Sequence, residues 1–256
     1  MSTDTKNLSM SSATGKQILS LIRNGDYAHA GEEEAIYAVL RGIEPCATRK
    51  ILDVGCGLGG TADCISRNGW GQVTGIDIDC DTIAYASSRY PGLKFHRCAA
   101  DEVSRTVPAE FDLVVMFNTL YCFPDQRRAL QQAAAVTVAG GRLAIFDYSA
   151  PSRTPEVKQF YQSYARTHWV PIVTDEIEQT LDQTGWKLCS LEDQSSNYRR
   201  WYRELIDKID ARQDAIVSAH GDRWFEYARQ RYQTLLDAIE AAIIGGVIIH
   251  AEKKCG

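Results

Sequence analysis

The feature that most constrains this chain is a glycine-rich turn at residues 51–60, which reads Ile-Leu-Asp-Val-Gly-Cys-Gly-Leu-Gly-Gly. Its first residues form a short apolar run typical of a buried strand, and a helix is predicted to begin near Thr61. Glycines between such a strand and helix let the backbone turn sharply and approach a ligand. The pattern predicts a cofactor site at this turn.

The spacing of Gly55, Gly57 and Gly60 also fits the G-x-G-x-x-G pattern of dinucleotide-binding folds, so a nicotinamide oxidoreductase is one alternative. Asp53 argues against it, because a carboxylate before the turn would repel a pyrophosphate at the helix N-terminus. The same carboxylate would favour a ligand with ammonium and sulfonium charges. S-adenosylmethionine carries both charges and no phosphate, and we expect it to be the cofactor.

Further acids follow the next two predicted strands. Asp77 lies 22 positions after Gly55, where a carboxylate can accept hydrogen bonds from both ribose hydroxyls. Asp101, followed by Glu102, is placed to accept a hydrogen bond from the adenine amino group. Each acid alone is more often a helix cap or a solvated turn residue, but that explanation does not suit all of them together.

Strands and helices alternate from Lys50 onward, which is the pattern of a doubly wound, mostly parallel sheet. The predicted strands lie at 50–54, 72–77, 93–98, 111–117, 142–147, 186–191 and 245–252. Ligands of such sheets bind beyond the carboxyl ends of the strands. The side chains expected at that edge are Asp53, Asp77, Asp101, Asn118 and Asp147.

Four motifs occur in a consistent order along the chain. They are Asp-Val-Gly-Cys-Gly-Leu-Gly at 53–59, Gly-Ile-Asp-Ile at 75–78, Ala-Asp at 100–101 and Phe-Asp-Leu-Val at 111–114. At these residues the chain resembles the class I S-adenosylmethionine-dependent methyltransferases. The resemblance implies a seven-stranded Rossmann-like sheet with a helical lid.

The resemblance also implies how the cofactor is held. In that family the first motif binds the methionine end, the second acid binds the ribose, the next residue packs on adenine, and the third acid meets the adenine edge. The predicted cofactor residues are Asp53, Gly55, Gly57, Asp77, Ile78, Asp101, Glu102 and Asn118.

The catalytic candidates lie in the loop at 26–31, which reads Asp-Tyr-Ala-His-Ala-Gly and could fold over the cofactor. Tyr27 and His29 are those candidates, with His29 as a base near neutral pH; a packed tyrosine and an exposed loop histidine are the structural alternative. The loop is similar to that of phosphoethanolamine and sarcosine/dimethylglycine N-methyltransferases. Tyr27 matches the lid tyrosine of the phosphoethanolamine enzymes, but Cys122 or its neighbours stand where they have a histidine. We expect Cys122 to be a small wall residue.

Substrate contacts are predicted after the fifth strand. Tyr148, Tyr164 and Trp169 could enclose an ammonium group through cation–π contact. Arg199 and Arg200 could hold a carboxylate or phosphate in bidentate geometry, although solvated arginines on a helix face are the alternative.

The net charge of −5, without an extended basic run, predicts no nucleic-acid partner. The eight cysteines form no C-x-x-C pair and no metal-ligand spacing, which favours reduced thiols, no metal and a cytoplasmic location. No apolar run reaches the length of a membrane span, so we expect no membrane partner. A monomer and a homodimer both stay open.

The predicted organisation has five parts. They are a disordered tail at 1–14, N-terminal helices and a lid loop at 15–44, a cofactor-binding core at 45–150, a helical lid at 151–244 that contains the strand 186–191, and a terminal strand at 245–256. The first helix is expected to start near Gly15 and to bury Ile18, Leu21 and Ile22.

The main functional hypothesis is methyl transfer from S-adenosylmethionine to a small molecule, at nitrogen. The protein then has to align a nucleophile, exclude water and manage one proton, and a neutral amine needs no base before attack. The alternatives are O- or C-methylation of a larger apolar metabolite, a nicotinamide oxidoreductase, and a non-catalytic cofactor-binding partner subunit.

Overall fold

The strands of the central sheet bury side chains on both of its faces. In the strand that begins at Phe111, Leu113 and Val115 lie in one hydrophobic cluster, whereas Val114 and Met116 lie in the other. Successive side chains of a strand point to opposite faces, so this apolar run needs cover on both sides. Helices supply that cover, as expected for a doubly wound sheet.

The computed structural model describes residues 8–23, 25–164 and 168–254. The strands are β1 Lys50–Val54, β2 Gln72–Asp77, β3 Lys94–Arg97, β4 Phe111–Phe117, β5 Thr137–Ala150, β6 Ile172–Val173, β7 Trp186–Asp193 and β8 Gly245–Lys253. The helices are α1 Ala13–Ile22, α2 Glu32–Val39, α3 Gly60–Arg67, α4 Cys80–Arg89, α5 Val103–Thr106, α6 Gln126–Val136, α7 Pro155–Tyr164, α8 Thr174–Gln183, α9 Ser195–Ala211, α10 Gln213–His220 and α11 Asp222–Glu240. Among the described residues, no helix is both long and apolar enough to cross a membrane.

Seven strands form the continuous sheet in the order β3-β2-β1-β4-β5-β8-β7. The first five strands pair in parallel, whereas β8 runs antiparallel to both β5 and β7. The predicted seven-stranded, mostly parallel Rossmann-like sheet is therefore confirmed. The two-residue strand β6, which pairs with β5, was not predicted because so short a run carries no periodic signal.

Two element boundaries differ from the prediction. The fifth strand begins at Thr137, before Gly140 and Gly141, because Thr137 already pairs with β4 and a register shift accommodates the glycines. Within the helical lid predicted for residues 151–244, the helical stretch after β7 is divided into α9 and α10. Arg212 leaves the helical conformation, and its N–H donates to the Ile209 carbonyl at 3.1 Å, which closes α9.

The N-terminal helix begins earlier than the sequence suggested. Ser12 caps α1 by accepting a hydrogen bond from the Gly15 N–H at 3.2 Å. Of the tail predicted to be disordered, residues 1–7 lie outside the described residues.

One face of α1 also differs from the prediction. Ile18 and Ile22 are buried as expected, but Leu21 is 41% exposed. Lys16 and Leu19 are buried in its place. An apolar stripe could not predict an inward-facing lysine, because its partner lies in a distant part of the chain.

Gly246 in β8 allows α9 to approach the sheet closely. A Cβ atom added there would lie 2.1 Å from Cδ2 of Tyr198, whose ring is fully buried. We predict that Gly246→Ala lowers the free energy of unfolding by about 1–3 kcal/mol, because a packed core does not absorb the added methyl group. Urea denaturation measures the change. Gly92→Ala is the control, since nothing lies within 4 Å of its Cβ position; equal stability of the two variants would contradict the close approach.

Candidate active site

Polar side chains from four neighbouring strands meet at the carboxyl edge of the sheet. Asp53, Asp77 and Asp147 lie near the ends of β1, β2 and β5, and Asn118 follows β4 directly. All three acids are buried. The parallel strands therefore bring the predicted side chains together, at the edge where open α/β sheets bind ligands.

The glycine turn is fastened to the end of β2. The Gly55 N–H donates to the Ile76 carbonyl at 2.8 Å, and the Gly57 N–H donates to Oδ2 of Asp77 at 3.1 Å. Both glycines have positive φ, +79° and +55°, a region that other residues rarely adopt. The turn thus holds its backbone N–H groups beside the carboxylate predicted to bind ribose.

Asp53 has a buried carboxylate oxygen without a partner. Its Oδ2 makes no hydrogen bond to any described residue. Burial, and secondly the nearby charge of Asp77, raises the pKa of Asp53 to about 7. A buried acceptor without a donor is costly, and the ammonium group of S-adenosylmethionine is a donor of the right charge. The residues present therefore fit the predicted cofactor at its methionine end.

Asp77 is more completely bonded than Asp53. Its Oδ1 accepts a hydrogen bond from the Asp79 N–H at 3.0 Å, and its Oδ2 accepts one from the buried ammonium of Lys16 at 2.9 Å. The hydroxyl of Thr82 lies 3.4 Å from the same Lys16 Nζ. Nothing in the sequence pattern indicated this lysine, because α1 and β2 are far apart along the chain.

The lid loop, residues 26–31, is attached by the carboxylate of Asp26. This buried side chain accepts hydrogen bonds from Ser20 at 2.6 Å and from two tyrosines of the α4 region, Tyr90 at 2.7 Å and Tyr85 at 3.2 Å. A Cβ atom at Gly60 would lie 2.6 Å from the backbone of Asp26. The lid loop therefore lies against the start of α3, as a cover of the cofactor turn would.

Tyr27 and His29 of the lid loop are both buried and both hydrogen-bonded. The Tyr27 hydroxyl donates to Glu33 at 2.9 Å, and burial raises its pKa above the ordinary range. In His29, Nδ1 donates to the Ala30 carbonyl at 2.9 Å, and Nε2 lies 3.0 Å from the Thr61 hydroxyl. Burial lowers the pKa of His29 to about 3, so the ring is neutral. Their catalytic roles stay predictions.

Asn118 connects the lid loop to α9. Its backbone has a positive φ of 49°, and its N–H donates to the Phe146 carbonyl at 2.7 Å. Its side-chain Oδ1 accepts from the Ala30 N–H at 3.2 Å, and its Nδ2 donates to the Tyr198 hydroxyl at 2.9 Å. The side chain thus lies between the cofactor turn and the helices that follow β5.

An aromatic cluster lies beside Asn118, and it comprises Tyr121, Tyr148, Trp169, Tyr198 and Tyr202. The ring of Tyr148 is at its centre, 5.2 Å from Trp169 and 5.6 Å from Tyr198 between centroids. The hydroxyls of Tyr148 and Tyr202 are hydrogen-bonded to each other. Tyr148, Trp169, Tyr198 and Tyr202 are buried, so the cluster is a packed group of rings close to the strand ends.

The predicted substrate residues Tyr148, Tyr164 and Trp169 are brought together, since Tyr164 packs 5.4 Å from Trp169. Their contact with a substrate stays a prediction. Tyr198 and Tyr202 were missed. They lie at helical spacing with Leu205 and Ile209 on the buried face of α9, and this periodicity is the signal that could have found them.

Asp147 stabilises the loop after β4 at the carboxyl edge of the sheet. Its carboxylate is fully buried and accepts hydrogen bonds from three backbone N–H groups, those of Thr119 at 3.1 Å, Tyr121 at 3.2 Å and Tyr148 at 2.7 Å. Burial raises its pKa to about 7, against the opposing effect of those hydrogen bonds. Asp147 therefore fixes the loop after β4 that carries Tyr121.

The remaining predicted cofactor residues follow the carboxyl ends of β2 and β3 and are exposed. Ile78 is 66% exposed directly after β2. Asp101 and Glu102 are exposed in a 3₁₀ turn after β3, and Glu102 pairs with Arg105 at 3.1 Å. These positions are accessible to an adenine ring, and their roles stay predictions.

Cys122 and the two predicted arginines differ in their surroundings. Burial raises the pKa of Cys122 to about 12, and its thiol donates to the Thr119 carbonyl at 2.9 Å, so it is a protonated side chain. Arg200 is exposed and pairs with Glu34 and Glu204, while Arg199 is half-buried. A substrate anion at Arg200 would have to compete with these ion pairs.

Comparison with known proteins identifies the class of this fold. Residues 52–145 match the family model described as a methyltransferase domain. Haemonchus contortus phosphoethanolamine N-methyltransferase 2, in complex with phosphomonomethylethanolamine and S-adenosylhomocysteine, superposes with a TM-score of 0.82. The two chains are 18% identical, and the match covers 95% of this chain and 58% of that one.

Residues 52–145 therefore match a methyltransferase domain, which supports the class of enzyme and the cofactor that the motifs predicted. The O-methyltransferase cnsE of Penicillium expansum is 31% identical over 163 residues, 61% of this chain and 59% of that protein. Phosphoethanolamine N-methyltransferase 1 of Zea mays is 23% identical over 238 residues, 90% of this chain and 45% of that protein. The chain thus spans less than two thirds of these relatives, which include both O- and N-methyltransferases.

The raised pKa of Asp53 makes a prediction for stability. Because the folded pKa is about 7 and the ordinary value is 3.8, ionised Asp53 destabilises the folded protein above about pH 7. This cost shrinks as the pH falls through 7 and is absent below about 4. We predict that Asp53→Asn raises the free energy of unfolding at about pH 8 by up to about 4 kcal/mol, at about 1.4 kcal/mol for each pKa unit.

The measurement is thermal unfolding of both proteins between about pH 4 and pH 8. Asp81→Asn is the matched control, because Asp81 is exposed at the start of α4. A gain in stability that is the same at every pH would show that burial of the Asp53 charge is not its cause.

Proposed function

We propose that this chain transfers a methyl group from S-adenosylmethionine to the nitrogen of a small-molecule acceptor, which binds against the aromatic cluster. The observation that carries the proposal is the position of that cluster, which Asn118 joins to the lid loop beside the cofactor turn. A methylated nitrogen gains positive charge as the new bond forms. Ring faces attract such a cation, most strongly where water is excluded.

The residues of the cofactor subsite and of the acceptor subsite would have different roles. Asp53 would accept hydrogen bonds from the ammonium of the cofactor and Asp77 from its ribose, and the bound cofactor supplies an electrophilic methyl group. Tyr148 and Trp169 would hold the acceptor in line and keep water out. Asn118 would keep the lid loop and α9 in register while both ligands are bound.

The state of the nearby titratable groups favours an amine over an acceptor that must first lose a proton. Among the described residues at this edge, His29 is neutral with a pKa of about 3 and both ring nitrogens engaged. Asp147 is occupied by backbone donors, and Cys122 has a pKa of about 12. A phenol or carbon acid would need a base here. A neutral amine already carries its lone pair.

O-methylation is the second candidate, and the likeness to the Penicillium expansum O-methyltransferase favours it. It would require one of these engaged groups to release its partner and accept a proton. The two candidates therefore differ in the acceptor atom and in the pH dependence of the reaction.

The test is a screen of acceptors with labelled S-adenosylmethionine, followed by mass spectrometry of the products. We expect small primary or secondary amines to be methylated at nitrogen, and phenols of matched size to remain unchanged. Because the free amine is the nucleophile, kcat/KM should rise with pH until the pKa of the acceptor itself. Two amines of different pKa should give different profiles. Methylation of the phenols alone would overturn the proposal in favour of the second candidate.

The role of Asp77 is tested by Asp77→Ala. Loss of its charge-assisted hydrogen bonds to the ribose, worth about 1.5–3 kcal/mol, should weaken cofactor binding by about ten- to a hundredfold. Isothermal titration calorimetry with S-adenosylhomocysteine measures the affinity. Asp81→Ala, at the exposed acid of the same region, should bind like the wild type. Because Asp77→Ala also removes the partner of Lys16, the comparison is repeated in a Lys16→Met background. Unchanged affinity of the Asp77 variant in both backgrounds would remove this residue from the cofactor site.

A further inference from the structure

We propose that Lys16 is an internal competitor for the ribose subsite, so that the cofactor must displace its ammonium group from Asp77 in order to bind. The inference rests on the proposed function, because it takes Asp77 as the residue that binds ribose. It concerns α1, a helix that the motifs of the cofactor site do not include.

The position of the lysine side chain is the first observation. Its Nζ lies 2.9 Å from Oδ2 of Asp77 and 3.4 Å from the hydroxyl of Thr82. Its Cδ lies 4.0 Å from where a Cβ atom of Gly57 would be. The stem thus passes over the glycine turn, and the charged end reaches the carboxylate behind it.

The chemistry of the two donors is the second observation. A ribose hydroxyl and a lysine ammonium both donate hydrogen bonds to a carboxylate, and each carboxylate oxygen can accept about two. Oδ1 of Asp77 accepts one from the Asp79 N–H, whereas Oδ2 accepts one from the Gly57 N–H and one from Lys16. One accepting position is therefore left on Oδ1, and two ribose hydroxyls need two. The second hydroxyl can bind only at the position that Lys16 fills.

Burial of the ion pair is the third observation. The Lys16 and Asp77 side chains are 10% and 8% exposed, so each charge is largely removed from water. Removing one partner of such a pair leaves the other charge uncompensated in a poorly solvated place. The cofactor-free state is therefore stabilised by a contact that the bound state gives up.

The contacts of α1 indicate which part of the protein has to move when the cofactor binds. Ser20, one turn after Lys16, donates to Asp26 at 2.6 Å, and Asp26 also accepts from Tyr85 and Tyr90. These contacts hold the helix while a long, flexible lysine side chain can swing towards solvent. Displacement thus requires a side-chain movement and leaves the lid loop in place.

The thermodynamic consequence is a reduced apparent affinity. If only a small fraction of the free protein has Lys16 displaced, the apparent Kd equals the intrinsic Kd divided by that fraction. Removing the competitor should therefore tighten binding, which is the opposite of what loss of a cofactor contact would do.

The test is calorimetric titration of wild type and Lys16→Met with S-adenosylhomocysteine, which has the ribose but lacks the sulfonium charge. We expect the variant to bind about tenfold more tightly or better. Lys16→Gln keeps a neutral donor and should fall between the two, and it carries the test if the Met variant does not fold. Lys208→Met, which removes a lysine paired with Glu32 away from Asp77, is the matched control and should bind like the wild type.

A second set of variants tests whether the gain in affinity of Lys16→Met depends on the carboxylate of Asp77. In an Asp77→Ala background, Lys16→Met should leave affinity unchanged, because there is no ion pair left to break. Weaker or equal binding by Lys16→Met in the wild-type background would overturn the inference while leaving the proposed function intact. The same gain with and without Asp77 would also overturn it. Absence of binding by every variant, including the folded wild type, would refute the proposed function and this inference with it.

Discussion

The concentration of buried carboxylates at one edge of the sheet is the constraint on which the rest of this site depends. Parallel strands bring Asp53, Asp77 and Asp147 to the same edge, where little water reaches them. Each charge there needs a donor, and the chain supplies them unequally. Asp147 has three backbone N–H groups, Asp77 has two and a lysine, and Oδ2 of Asp53 has no partner among the described residues. The fold thus leaves one strong acceptor for a cationic ligand.

The same burial affects the pKa values of the groups near the proposed binding position of the methyl acceptor. Removing water raises the pKa of the aromatic cluster's tyrosines and lowers that of His29, so the groups beside Asn118 are neutral. Neutral rings and hydroxyls stabilise a forming cation without taking a proton from it. His29 and these tyrosines are therefore poorly suited to deprotonate an acceptor, which favours acceptors that already have a free lone pair.

Local sequence was enough to predict the positions of the strands around the glycine turn and the acids at the strand ends. Those features depend on short motifs whose geometry follows from a few neighbouring residues, as Asp53 and Asp77 illustrate. Lys16 was not predictable in the same way, because its buried position depends on Asp77 in the distant strand β2. Helical periodicity assigns a lysine to the surface unless its distant counter-ion is known.

Asp53 and Asp77 differ in the hydrogen-bond partners of their buried carboxylates, and this difference makes cofactor binding depend on pH. Asp77 is paired with Lys16, whereas Asp53 has a carboxylate oxygen without a partner among the described residues and a pKa of about 7. A ligand ammonium bound to Asp53 favours the ionised carboxylate and so releases its proton below about pH 7. Ribose at Asp77 instead exchanges one donor for another. The methionine end of the cofactor site should therefore be sensitive to pH, and the ribose end to the position of the Lys16 side chain.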